Sequence, residues 1–302
     1  MDNTPLVSVI IPTYKNNGSL TTAIDSVLNQ TYDNIEIIVV DDNNSDSPYR
    51  TFTESLMKKY EYISYIKYIK HEVNKNGAAA RNTGFINSKG DYISLLDDDD
   101  SFVPSKTKLQ VDYLNSHNEF GAVYGGRYEG NNIIVYQKEG DLSKELLTYS
   151  ILPCTCSLML RKDVYKTLKG FDESYKRHQD FEFCLRLFEK FNIGVIKEPV
   201  FYRRPDNVNS IADNRLCGKE LEKQKINYLI QFNSTIEAID KLDNGFKKTV
   251  YAIHFSRVFW NYVRYLKIIS AVRVLIKYSI LCRGKFIKEL YKYAVDYFKS
   301  TN

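Results

Sequence analysis

The chain has 302 residues, 43% hydrophobic and 14% aromatic, which excludes a disordered polypeptide and suffices for a sizeable core. Its net charge of +5 conceals a division: residues 1–244 carry 30 basic and 35 acidic groups, whereas residues 245–302 carry twelve Lys/Arg against Glu289 and Asp296 alone. No stretch supplies the roughly 18 uncharged apolar residues of a spanning helix, and the acidic start with a short apolar run is not a secretory signal. Five scattered cysteines (Cys154, Cys156, Cys184, Cys217, Cys282) then read as reduced thiols of a cytoplasmic protein. Cys154 and Cys156 fit alternation on a strand better than a metal site.

In chain order, β-branched runs at 6–11, 35–40, 63–69 and 92–96 predict strands. Residues 19–30, 48–60, 77–88 and 104–114 predict the helices between and after them. Because the strands are continuously apolar, the sheet should be covered on both faces and parallel, in a doubly wound α/β arrangement. The pattern mixes after residue 124: strands are expected at 133–136, 157–160 and 200–203, and helices at 142–149 and 180–191. From about residue 214 the reading is almost wholly helical. Composition therefore suggests one domain over 1–212 and a basic helical region over 213–302.

Two of the expected strands run into acids, at Asp41-Asp42 and at Asp97-Asp98-Asp99-Asp100. In open parallel sheets the ligand crevice lies beyond the carboxyl ends of the strands, so both clusters should face one cleft. Four successive aspartates raise one another's pKa unless something positive neutralises them. Alone, that run would suit a solvated acidic turn capping the next helix; placed after a buried strand, with a second acidic strand end, it points instead to a hard divalent cation shared with substrate phosphates. No glycine-rich phosphate loop follows any strand, so diphosphate would be held through aspartates and metal.

Four motifs sharpen the reading. Val7-Ser-Val-Ile-Ile-Pro-Thr-Tyr14 comes first, then Val39-Val-Asp-Asp-Asn-Asn-Ser-Asp46. Asn76-Gly-Ala-Ala-Ala-Arg-Asn-Thr-Gly84 precedes Gly90-Asp-Tyr-Ile-Ser-Leu-Leu-Asp-Asp-Asp-Asp100, and Gly170-Phe-Asp-Glu173 precedes His178-Gln-Asp180. In this order the chain resembles glycosyltransferase family 2 over roughly residues 5–210, in the type that builds bacterial surface polysaccharides. The resemblance implies a GT-A fold: a Rossmann-like, mostly parallel sheet flanked by helices, here with a helical C-terminal extension. It also implies an inverting, metal-dependent transfer from a nucleoside-diphosphate sugar, a UDP-sugar, to a surface glycan or lipid-linked acceptor.

By the same resemblance Pro12 and Tyr14 meet the nucleotide base, and Asp42 reads the uracil edge with Asp41 beside it. Arg81 contacts the donor; Asp97 and Asp98 face ribose, sugar or metal; and Asp99, with Asp97, holds Mn²⁺ or Mg²⁺. Asp180 falls on the catalytic base, which would take the acceptor's proton as it attacks the anomeric carbon. Two departures stand out: Gln179 replaces a frequent Glu, and the stretch 202–210 lacks the histidine that many members carry. Arg203 or Arg204 would then bring charge to the diphosphate, and His178 is read as an acceptor-site or structural residue.

The basic region over 251–299 mixes aromatics and aliphatics with Lys/Arg. It reads either as a peripheral anchor on the anionic inner face of the cell membrane or as a bundle packed on the core or on another copy of the chain. Nucleic acid is set aside, since no recognition module is present and the body is acidic. The rival functions are a sugar nucleotidyltransferase and a non-catalytic module that binds nucleotide sugar or membrane.

Overall fold

The computed structural model describes residues 4–151, 154–175, 178–204 and 218–300, with side chains to 296. The boundary expected near residue 212 and the thiol of Cys217 lie outside the described residues. The chain forms two compact units, Met1–Leu142 with Ile151–Pro205 and Ser143–Ser150 with Asp206–Asn302.

The first unit opens with β1 (Val7–Thr13), α1 (Ser19–Leu28), β2 (Ile35–Asp41), α2 (Pro48–Met57), β3 (Ile66–Lys70), α3 (Gly77–Ile86) and β4 (Tyr92–Leu95). Strands β3-β2-β1-β4 lie side by side and parallel, with Val7 opposite both Ile35 and Tyr92. Every residue of β2 and β4 is buried, as helices on both faces require. Two of these helices start where the sequence supplies a side-chain cap. Ser47 accepts from the Tyr49 amide ahead of Pro48, and the Asn76 side chain accepts from the amides of Ala78 and Ala79.

Beyond β4 the sheet becomes mixed, through β5 (Ser101–Phe102), α4 (Lys106–Ser116), β6 (Phe120–Glu129) and β7 (Asn132–Ile134). After α5 (Ser143–Leu147), which belongs to the second unit, come β8 (Met159–Arg161), α6 (Lys162–Leu168), α7 (Gln179–Lys190) and β9 (Asn192–Arg203). Among the described residues the order is β3-β2-β1-β4-β8-β6-β9-β5, with β7 paired to β6. Antiparallel β8 joins the parallel half to β6. This is the α/β sheet with flanking helices that the sequence predicts, with an antiparallel turn in its second half.

Two expectations change here. The strand foreseen at 200–203 is the end of a twelve-residue β9, because Lys197-Glu198-Pro199 interrupts its apolar pattern. Pro199 sits opposite Gly126 at a register shift, and bulges of this kind are where strands tolerate proline's missing N–H. Cys154 and Cys156 do not alternate on a strand: Cys154 precedes, and Cys156 lies within, a 3-10 turn at Thr155–Ser157 ahead of β8.

The second unit holds α5 with α8 (Lys219–Gln231), α9 (Asn233–Leu242), α10 (Phe246–Arg264), α11 (Ile268–Cys282) and α12 (Gly284–Ser300). The Phe255 and Tyr278 rings stack at 3.7 Å between α10 and α11. Buried His254 meets the Leu147 carbonyl at 3.1 Å, and Lys225 donates to the Tyr149 hydroxyl at 2.7 Å, which seats the 143–150 segment among the helices. No helix among the described residues is long and apolar enough to cross a membrane.

Candidate active site

The carboxyl ends of β1, β2 and β4 bring the motifs together, because parallel strands of matched register finish on the same edge. From β1, Thr13 donates to Asp98, and Asn16 donates to the same Asp98 oxygen at 2.8 Å. The other end of the Asn16 amide accepts from the amides of Gly18 and Leu20, so one buried side chain starts α1 and positions an acid. Tyr14, next to it, is 42% exposed, as a platform for a planar ligand needs to be. Pro12 is partly buried opposite Val40.

At the end of β2 both acids are heavily engaged. Asp41 is fully buried and pairs with Arg50 at 2.9 Å while accepting from Tyr68 and Asn43. Burial and that carboxylate push the Tyr68 hydroxyl far above its ordinary range. Asp42 takes His71 Nδ1 at 2.7 Å and the Lys75 amide on one oxygen, and the Asn74 side chain and Asn76 amide on the other. For Asp42 to accept from a base N–H, one of these donors must give way. His71 in turn meets Thr83 of α3 at 2.9 Å, so Asp42 ties the loop before α3 to the sheet edge.

The four aspartates after β4 differ in surroundings. Asp97 receives Arg81 Nη2 at 2.7 Å, and its own amide donates to Cys156 Sγ. Burial pushes Asp98 up to about 7, against the hydrogen bonds from Thr13 and Asn16. Asp100 is also pushed up to about 7, by burial and then by the charges of Asp97 and Asp99. Asp99 is exposed at the rim. Asp97, Asp100, Cys154 and Cys156 each offer a ligand atom, all within 4.8 Å of one another. Asp99, expected as the foremost metal ligand, lies outside that group.

Arg81 connects this run to α7. Its Nη1 lies 3.4 Å from Gln179 Oε1, and its guanidinium sits 5.4 Å over the Phe171 ring. Gln179 also donates to Tyr175 O and to the Asn76 side chain that caps α3. Asp180, one residue on, is partly buried in the first turn of α7. Burial raises its pKa, while the Phe181 amide and Arg81 pull it down. The helix terminus further favours its charged form.

The remaining expectations fall nearby. His178 takes a left-handed backbone, φ 58°, and meets the Phe181 ring edge-on. Arg203 reaches Glu129 at 3.1 Å, whereas Arg204 joins the acids through its backbone amide, which donates to Asp100 at 3.0 Å. Sequence reasoning missed Asn16, His71 and Lys106. Lys106 is fully buried beneath β4, donates to Ser94 at 2.9 Å, and is pushed down to about 7 by desolvation. A lysine four residues before Gln110 on an otherwise ordinary amphipathic stretch carries no signal of its burial.

The family model for glycosyl transferase family 2 matches residues 8–168, more than half of the chain. The chain belongs to glycosyl transferase family 2. It is 35% identical over 201 residues to an uncharacterized glycosyltransferase of Rickettsia bellii, covering 63% of this chain and 28% of the relative. It is 30% identical over 216 residues to the putative glycosyltransferase EpsE of Bacillus subtilis, covering 67% and 74%. Among solved structures, S. aureus TarS 1-349 in complex with UDP-GlcNAc superposes with a TM-score of 0.60 at 18% identity, over 90% of this chain and 91% of that one. That likeness covers the fold alone. The chain spans less than two thirds of the length of the Rickettsia relatives, 28% of the R. bellii protein and 60% of its R. prowazekii counterpart.

Proposed function

We propose that this glycosyltransferase moves a sugar, with inversion, from a UDP-sugar to a hydroxyl of a surface glycan or lipid-linked acceptor, with a divalent metal. The observation that carries the reading is one connected arrangement: Arg81 joins the aspartates after β4 to the helix start that holds Asp180. The UDP-GlcNAc complex of S. aureus TarS supports the choice of donor.

In the converging group Asp97 and Asp100 offer the hard carboxylate oxygens and Cys154 and Cys156 soft thiols, so a hard cation would take the two carboxylates, with Asp99 joining Asp97 from the exposed rim. Bound Mn²⁺ or Mg²⁺ would supply Lewis-acid neutralisation of the departing diphosphate. Tyr14 and Pro12 would line the base, with Asp41 and Asp42 shaping its pocket, and Arg81 would hold Asp97 in place. Asp98 would face the ribose or sugar.

Asp180 takes the acceptor hydroxyl's proton while that oxygen forms its bond to the anomeric carbon. The bond from carbon to diphosphate breaks on the opposite face, and a single displacement inverts the centre. A base works best with a pKa near the working pH, so burial serves Asp180 as long as Arg81 keeps it ionised. His178 would contact the acceptor, and Arg203 or Arg204 would bring charge to the diphosphate. For the place of action, the basic C-terminal region supports a cytoplasmic enzyme held on the inner membrane face.

The test is a panel of sugar nucleotides with Mn²⁺, scored for release of UDP or dTDP. Asp180→Asn should lower turnover by roughly 10³-fold while leaving UDP affinity unchanged. Turnover equal to the wild type would remove Asp180 as the base.

A further inference from the structure

Helix α11 has two apolar faces. Ala271, Val274, Tyr278 and Cys282 are buried in the second unit, at the 3-4-4 spacing of a helix stripe. Turned away from them, at the same spacing, are Ile269, Val272, Ile276 and Ile280, with exposures of 89, 46, 57 and 75%. Leu266, in the turn before the helix, and Ile268, its first residue, are exposed as well. A solvent-facing helix surface is ordinarily polar, and scattered exposed apolar residues need no explanation; a continuous stripe of branched aliphatics does.

The charges around it have one sign. Residues 264–288 contain seven Lys/Arg and no Asp or Glu. On the helical wheel Arg273 and Lys277 line one flank of the outer stripe, and Lys267 and Arg283 bracket its ends. All four are exposed. Glu222 of α8 ion-pairs with Arg273, so Lys267, Lys277 and Arg283 are the three that carry the field at the stripe.

We propose that the outer face of α11 lies in the interface of an anionic lipid bilayer, with Ile269, Val272, Ile276 and Ile280 among the acyl chains and Lys267, Lys277 and Arg283 at the headgroups. This rests on the peripheral location proposed above and narrows it to one helix face; it does not depend on the transfer chemistry. A second copy of the chain fits less well, because a two-fold contact would set this acid-free, basic surface against itself. Nucleic acid fits less well too, since branched aliphatics offer bases no stacking platform.

The test uses the full chain and vesicles of phosphatidylcholine with about one part in three phosphatidylglycerol, against phosphatidylcholine alone. The wild type should float with the anionic vesicles at least roughly tenfold more than with the neutral ones. The double variant Ile269→Asn/Ile276→Asn should lose roughly tenfold of that binding at an unchanged melting temperature, and Ile269→Leu/Ile276→Leu should keep it. UDP release from a soluble donor should be the same in all three proteins, so loss of flotation cannot be confused with loss of the active site. No flotation of the wild type, or equal flotation of the Asn variant, would overturn the proposal. So would a wild-type dimer, seen by light scattering, that the Asn variant dissolves without a change in vesicle binding.

Discussion

Burial holds Asp98 and Asp100 protonated up to about 7, well above an unfolded aspartate near 3.8, and Asp180 is shifted the same way. Between those two values the folded chain binds protons that the unfolded chain has released, so stability falls as pH rises through that window. In the metal-free protein with EDTA, a rise from pH 5 to pH 8 should therefore cost on the order of 1 kcal/mol or more, read as roughly 2–4 °C in Tm. Asp98→Asn should flatten the dependence; an unchanged slope would show that Asp98 is not the group that titrates. Arg81 argues for a different readout. It supplies the ion pair to Asp97 at 2.7 Å and a contact to Gln179, so Arg81→Gln loosens the acids from α7 without removing either. The expected loss in kcat/KM is about 2 kcal/mol, or thirtyfold, with a raised donor KM. A purely structural arginine would lower Tm and leave the donor KM alone.

The elements show why that site is assembled at one edge. Helix α3 must lie close to β1 for Arg81 to reach Asp97, and Gly84 permits it: a Cβ there would stand 2.3 Å from Ile10 Cγ2. Gly84→Ala should cost about 1–3 kcal/mol in chemical denaturation, and the cost should shrink in an Ile10→Ala background that removes the clashing methyl. Equal costs in both backgrounds would mean the strain lies elsewhere. The same element level marks how far the sequence could be read. The parallel half was legible because strands 35–40 and 92–96 are continuously apolar and end in acids, which fixes both their burial and the edge where ligands sit. β9 was not, since Lys197-Glu198-Pro199 breaks its pattern at the bulge opposite Gly126, and only pairing with β6 makes it one strand. The individual environments of Asp97 to Asp100 were equally out of reach. Four identical letters gave no means of telling that Asn16 and Thr13 would seek out Asp98, that the Arg204 amide would cap Asp100, or that Cys156 would lie beneath Asp97.

Across the whole chain, the separation of charge distributes two physical problems to different residues. The strand-end acids Asp41, Asp42, Asp97, Asp98 and Asp100 are buried or locally paired, so their interactions act over a few ångströms and are poorly screened. The basic groups around α11 are exposed and unopposed in sequence from 264 to 288, so their attraction to an anionic surface decays over a Debye length, about 10 Å at 0.1 M salt and about 3 Å at 1 M. Raising NaCl from about 50 to about 500 mM should therefore release the protein from anionic vesicles at least roughly tenfold. Turnover of a soluble donor should change by less than about twofold over the same range, because buried charges keep their partners. Flotation and UDP release measured on the same samples separate the two responses. If turnover falls in parallel with vesicle binding, the basic residues take part in holding the donor diphosphate, and the division of labour between the two ends of the chain is wrong.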